Sequence, residues 1–253
     1  MNAASLAVGV DVGGSSIKCA LIDLKTGTFA GERFSTPTPA HESTDALLDA
    51  LTGVVANIPG EHAVGLAFPS VIRDGRVRTA ANINKAWIGQ PLAQMASERL
   101  KRHVVLINDA DAAGLAELQY GAARNVPGTV LLLTLGTGIG SALFVDGKLV
   151  PNTELGHLEV AGREAEKRAS GKAKIDGNLG WDAWAEELNR VLKELHALLW
   201  PDQIVLCGGI TEEPEKFMDK LKCEARLCIG AMRSEAGIVG AAWATTLVAR
   251  KTP

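Results

Sequence analysis

The sequence predicts an α/β protein built from two similar halves, and three observations carry that expectation. Near the start, an apolar run breaks at Gly13-Gly14-Ser15 and is followed by two further strand-like runs, an antiparallel meander. The same order of strand, glycine turn, strand and tight turn recurs from Val130. The offset is 123 residues whether Gly136 is set against Gly13 or Asp146 against Asp23, as an internal duplication requires. Elsewhere, short apolar strands alternate with segments of helical period.

In order along the chain, residues 7–12, 17–23 and 28–34 read as the first meander, with a second turn at Lys25-Thr26-Gly27. Residues 45–57 place Leu47, Leu48, Leu51, Val54 and Val55 on one helical face. A buried strand over 63–68 stops at Pro69. A helix over 91–100 and a strand over 104–107 lead to a helix over 109–120, with Asn108 or Asp109 at its start. Residues 130–135 and 139–145 form the second hairpin, and Asp146-Gly147 makes the next turn. An amphipathic helix covers 181–199, a strand over 204–206 runs into Gly208-Gly209, and Ala-rich residues 236–248 close the chain. The expected division is a smaller lobe over 1–109, closed by a helix at 236–253, and a larger one over 110–235. Ligands then belong in the cleft between them.

Composition narrows the function classes. Hydrophobic residues make up 47% and charged ones 22%, ordinary for a globular chain. A net charge of -3 argues against nucleic acid as a partner. The four cysteines form no CxxC pair, so neither a zinc knuckle nor a disulfide framework is signalled. The stretch between Arg124 and Asp146 carries no charge, yet Pro127, Gly128, Gly136, Gly138 and Gly140 exclude a spanning helix. The first residues have no basic n-region. The expected location is therefore cytoplasmic, with no membrane partner.

Three clusters carry candidate chemistry. In Asp11-Val12-Gly13-Gly14-Ser15-Ser16-Ile17-Lys18, glycines let backbone N–H groups approach phosphate oxygens, and Lys18 adds positive charge. Asp11 at the strand end could orient a magnesium ion, directly or through its waters. A Rossmann loop would need a helix straight after the glycines, whereas a strand follows here. A purely structural hairpin is the other reading. The second turn, Gly136-Thr137-Gly138, repeats the pattern with a hydroxyl added. The next cluster is Asn108-Asp109, where a carboxylate in the field of a helix N-terminus is held ionised; Asx residues there are also ordinary N-caps. The last is Glu154-Leu155-Gly156-His157-Leu158-Glu159, with carboxylates and an imidazole aimed by a glycine-containing loop.

Together, Asp-x-Gly-Gly-Ser-x-x-Lys, Asn-Asp before a helix, Leu-Gly-Thr-Gly-Ile-Gly and Glu-Leu-Gly-His resemble the ROK (repressor, open reading frame, kinase) family from about Val8 to Ala242. Within it the chain is most similar to the branch of bacterial polyphosphate-dependent glucokinases. The resemblance implies an actin-like (ribonuclease H-like) duplicated fold, with two lobes and a central cleft. It also implies phosphoryl transfer from polyphosphate, or ATP, to the 6-hydroxyl of glucose. Asp109 matches the general base. Asn82, Asn108, Glu154, His157 and Glu166 match sugar ligands. Gly13, Gly14, Ser15, Ser16, Lys18, Gly136, Thr137 and Gly138 match the donor phosphate site, and Mg2+ is the expected ion.

Ser70 stands where relatives usually carry Gly. The interval from Leu158 to Ala165 lacks the family's Cys-x-Cys-Gly cluster, so no structural zinc is expected. Polyphosphate needs a basic track beyond the turns, and Lys167, Arg168, Lys172 and Lys174 form one cluster that could supply it. A homodimer is the expected assembly, with the apolar face of residues 181–199 as a possible contributor. Two alternatives stay open: an ATP-dependent hexokinase acting on glucose, mannose or an N-acetylhexosamine, and a non-enzymatic sugar sensor. The sensors of the family add a DNA-binding segment ahead of the core, and here the first strand starts near Leu6.

Overall fold

The computed structural model describes residues 5–39, 43–80 and 83–249. The chain divides into two compact units, Met1–Ala116 with Glu235–Pro253, and Glu117–Ser234.

In the first unit, β1 (Leu6–Val12), β2 (Ser16–Asp23) and β3 (Thr28–Pro37) form the expected meander. Helix α1 (Thr44–Val55) follows, capped by the Ser43 hydroxyl accepting from the Ala46 N–H at 3.1 Å. Strand β4 (Val64–Phe68) adds parallel to β1 and is buried along its whole length, as a central parallel strand must be. A two-residue hairpin, β5 (Ile72–Arg73) and β6 (Arg76–Val77), precedes helix α2 (Leu92–Leu100). Strand β7 (Val104–Asn108) then completes the sheet in the order β3-β2-β1-β4-β7 and leads into α3 (Asp109–Tyr120). The Val8, Val10 and Val12 side chains pack with Leu47, Leu51, Leu66 and Leu92 in one core.

The closing helix of this unit, Ala236–Ala249, lies backbone to backbone on the strands. A Cβ at Gly9 would come 1.9 Å from the Ile238 carbonyl oxygen, and one at Gly65 would come 1.7 Å from that of Ala241. Gly240 stands in the same relation to Ala112 of α3, at 1.6 Å. Glycine is required at all three for steric reasons, which also explains the Ala-rich helix face.

The second unit repeats the plan. Strands β8 (Thr129–Leu135), β9 (Ile139–Val145) and β10 (Lys148–Val150) form its meander, and the turn between the last two has positive φ at Asp146 (48°) and Gly147 (72°). A small hairpin, β11 (Glu159–Val160) and β12 (Arg163–Glu164), leads to α4 (Ala165–Ala169), α5 (Gly171–Asp176) and α6 (Trp181–Leu199). Strands β13 (Gln203–Cys207) and β14 (Arg226–Ile229) then add parallel to β8, and the order is β10-β9-β8-β13-β14. Two antiparallel pairs followed by two parallel ones is the arrangement of the first sheet. β1 and β8 differ by the predicted 123 residues at both ends. The charge-free stretch is thus two strands. Among the described residues, no helix is long and apolar enough to cross a membrane.

One sequence expectation is corrected here. The apolar face of α6 does not lie open for a dimer contact. Trp184, Leu188, Val191, Leu192 and Leu195 are buried with Leu131, Leu133, Ile204 and Leu206 in the core of their own unit. In the same unit, the buried Glu117 carboxylate accepts from the backbone N–H groups of Ala122 (2.7 Å), Ala231 (3.0 Å) and Met232 (2.7 Å). The first bond closes the end of α3, and the other two hold it against the segment that leads to the closing helix.

Candidate active site

Each unit carries an exposed glycine turn between the first two strands of its meander. In the first, the Gly13 N–H donates to the Ser16 carbonyl at 3.0 Å, and the Thr38 hydroxyl donates to the Gly13 carbonyl at 2.7 Å. Gly14 and Ser15 face solvent. In the second, the Gly136 N–H donates to the Gly138 carbonyl at 3.0 Å, and Gly136 and Thr137 are exposed. A Cβ at Gly14 or Gly136 would meet nothing within 4 Å, and neither residue has a positive φ. The fold therefore makes no demand for glycine at these two places. What bare backbone permits there is the close approach of something outside the chain.

Asp11 pairs with Lys18 across β1 and β2, and its carboxylate lies where a Cβ on Gly237 would fall, at 2.8–3.1 Å. Burial pushes the Asp11 carboxyl above the usual range, and the Lys18 ammonium pulls it partly back. A buried carboxylate beside an exposed glycine turn is a hard oxygen donor, and a divalent cation there would relieve the cost of its charge. The residues present fit magnesium.

Asn108 is the N-cap of α3. Its Oδ1 accepts from the Asp111 N–H at 3.0 Å, and its Nδ2 donates to the Ser70 carbonyl at 3.1 Å. Only 5% of its surface is exposed, so its first duty is to fasten the Ser70 loop to the helix start. The Ser70 hydroxyl, which a Gly would lack, donates to the Thr79 carbonyl at 2.8 Å and closes the loop around the β5–β6 hairpin. Asp109 is the first residue of α3, partly exposed, with Oδ1 accepting from the Ala110 N–H at 2.9 Å. Asn82 lies outside the described residues.

The structure brings Glu154, His157 and Glu166 together. His157 Nε2 is 3.8 Å from Glu154 Oε2, and its Nδ1 is 3.8 Å from Glu166 Oε1. Those gaps are too long for hydrogen bonds, so the three heads leave polar space between them. Burial raises the Glu154 carboxyl; the His157 ring opposes the shift and the Glu166 charge adds to it. Gly156 makes the loop possible, since a Cβ there would fall 2.0 Å from the Ile139 carbonyl oxygen. Glu166 Oε2 in turn lies 2.5 Å from where a Cβ on Gly138 would stand.

Sequence reasoning missed Glu164. Its carboxylate, that of Glu166 and the His157 ring lie within 4.8 Å of one another, a set that could share a cation, although Lys167 already bonds Glu164 at 2.6 Å. The signal lay in Ala161-Gly162, whose positive φ angles (48° and 79°) fold β12 back on β11. The basic cluster is also not one open track. Arg168 is 12% exposed and bound to Glu187 and to the carbonyls of Val160 (3.0 Å) and Ala161 (3.3 Å). Lys172 pairs with Asp176 at 2.6 Å, and the Lys174 ammonium sits 4.3 Å over the Trp181 ring.

Compared with known proteins, residues 7–174 match the profile of the ROK family. The chain belongs to the ROK family. It is 43% identical to the polyphosphate glucokinase of Mycobacterium tuberculosis, over 94% of this chain and 90% of the relative. Among solved ROK-like structures, an inorganic polyphosphate/ATP-glucomannokinase from an Arthrobacter strain is 42% identical with a TM-score of 0.92, covering 97% of this chain and 99% of the other. A ROK family glucokinase from Streptomyces griseus, in complex with glucose and AMPPNP, is 25% identical with a TM-score of 0.81, covering 94% and 98%. The expected α/β, actin-like class of the ROK sugar kinases therefore holds for this chain.

Proposed function

We propose that this ROK protein is a glucokinase that takes its phosphoryl group from inorganic polyphosphate, with ATP as a second donor. The observation that supports the reading is the Glu166 carboxylate lying against Gly138, a group of the kind that binds sugar hydroxyls beside a turn of the kind that binds phosphate. Likeness to the Mycobacterium and Arthrobacter proteins supports polyphosphate as the donor.

In this reading Glu154, His157 and Glu166 accept and donate hydrogen bonds to the sugar hydroxyls, with Asn82 and Asn108 as further ligands. Asp109 accepts the proton of the 6-hydroxyl as that oxygen attacks the terminal phosphorus. The new O–P bond forms as the P–O bond to the next phosphate breaks, and the shortened polyphosphate carries away the negative charge. Backbone N–H groups of the two glycine turns, the hydroxyls of Ser15, Ser16 and Thr137, and Lys18 face the donor oxygens. Asp11 would hold Mg2+, which supplies further neutralisation of donor charge when bound. The same reading takes mannose as a second acceptor, a homodimer as the assembly and the cytoplasm as the location.

Initial rates with polyphosphate and with ATP, each at matched magnesium and over a panel of hexoses, test it. Glucose 6-phosphate formed from both donors is the expected result. Turnover with ATP alone overturns the polyphosphate donor, and no turnover of glucose with either donor overturns the kinase.

A further inference from the structure

Resting on the polyphosphate reading above, we propose that the donor chain leaves the Gly136–Gly138 turn along a lysine track, past Lys172, whose backbone abuts the turn, and over Lys174 and Lys216, which both lie beside Trp181. All of these residues belong to the second unit. The start of α5 abuts the turn, because the Lys172 N–H donates to the Gly136 carbonyl at 3.0 Å and a Cβ at Gly171 would lie 3.1 Å from the same oxygen. Two residues on, the Lys174 ammonium stands 4.3 Å from the centre of the Trp181 ring. The Lys216 ammonium comes to 5.7 Å from that same ring, and the neighbouring Phe217 stacks on it at 5.7 Å. One indole thus has two ammonium groups beside it, on a segment that begins at the glycine turn in the case of Lys174, and positive charge there attracts a polyanion.

The partners of each cation decide which ones a polyanion can recruit. Arg168 is locked by Glu187 and two carbonyl oxygens in a largely buried setting, and releasing it would strand buried polar groups. Lys167 bonds Glu164 and feels the charge of Glu166, so a polyanion reaching it would meet two carboxylates. The pairs of Lys172 with Asp176 and of Lys216 with Glu213 are exposed and weak. Among the described residues, the partner seen for the Lys174 ammonium is the aromatic face of Trp181. Asp176 and Glu213 can swing into water while the lysines exchange them for a chain with one negative charge per phosphoryl, and counterion release drives the exchange. ATP carries three phosphates before its nucleoside, so the track serves the longer donor.

The test uses the full-length triple variant Lys172→Gln, Lys174→Gln, Lys216→Gln with polyphosphates of defined length, after circular dichroism and melting show that it is folded. The expected result is a rise in KM of about tenfold for long chains, shrinking as the chain shortens toward tripolyphosphate. The slope of log KM against log salt should also fall by roughly 0.7–0.9 per lysine removed. If the triple variant does not fold, Lys174→Gln alone is measured, with an expected rise of about two- to threefold. An unchanged KM and salt slope for long chains overturns the track, and so does a rise that is equal at every chain length. A wild-type protein that turns over ATP but no polyphosphate overturns the donor reading and the track with it. Polyphosphate turnover with variants that behave as wild type overturns the track alone.

Discussion

The Glu166 carboxylate occupies the space in which a side chain at Gly138 would begin, with Oε2 only 2.5 Å from the ideal Cβ position. The same carboxylate faces His157 at 3.8 Å. One acidic group therefore borders both the glycine turn and the imidazole.

Gly138→Ala should separate fold from function. The atom in the way is the far end of a flexible side chain, so Glu166 can move and stability should change by less than about 1 kcal/mol. Its displaced carboxylate should raise KM for glucose roughly three- to tenfold. Thermal melting and steady-state kinetics on one preparation check both halves; an unchanged glucose KM would detach Glu166 from the sugar.

Gly65 and Gly136 should respond in opposite ways. At Gly65 the obstacle is the Ala241 carbonyl, 1.7 Å away, and backbone inside a packed core cannot yield. Gly65→Ala should cost about 3 kcal/mol or more and lower the melting temperature by roughly 6–12 °C. At Gly136 a methyl group meets open space, so Gly136→Ala should leave stability unchanged or up to ~1 kcal/mol higher, while the donor KM rises. A Gly136→Ala protein with wild-type donor kinetics would return this turn to a structural hairpin.

Asp109→Asn keeps the shape of the helix start and removes the base. Turnover should drop by roughly 10²–10⁴ with glucose binding retained. A folded variant with near-normal turnover assigns the proton to another acceptor.

The raised Glu154 carboxyl predicts a pH effect of definite sign. Because the folded state holds this proton more tightly than the unfolded one, its contribution to stability is present below the unfolded value of 4.5. It is lost as pH rises through the higher folded value. Sugar binding runs the other way, since an ionised Glu154 is the better acceptor. At saturating donor, kcat/KM for glucose should fall as pH drops through a value above 4.5, and Glu154→Gln should flatten that limb. A limb unmoved by the substitution assigns it to a different group.

Much of this was legible in the chain because local chemistry decides it. The helices at Asp109–Tyr120 and Trp181–Leu199 and the strand at Ile139–Val145 fall where period and breakers place them. The two-residue strands β5, β6, β11 and β12 were not legible, since a pair of residues has no periodicity to read. Nor was the split of the basic cluster. Lys167, Arg168, Lys172 and Lys174 look alike in a row, and the partner that removes Arg168 from use, Glu187, comes from α6, 19 residues away.

The same contrast holds for the glycine turns. Sequence alone determined that two meanders repeat at 123 residues and that each opens on glycines, because turn chemistry and strand alternation are local properties. Tertiary structure alone decided which glycines the fold needs. Gly9, Gly65 and Gly240 are forced by a helix backbone packed against them, whereas Gly14 and Gly136 face empty space. That difference arises from atoms distant in the chain, and no local pattern can encode it.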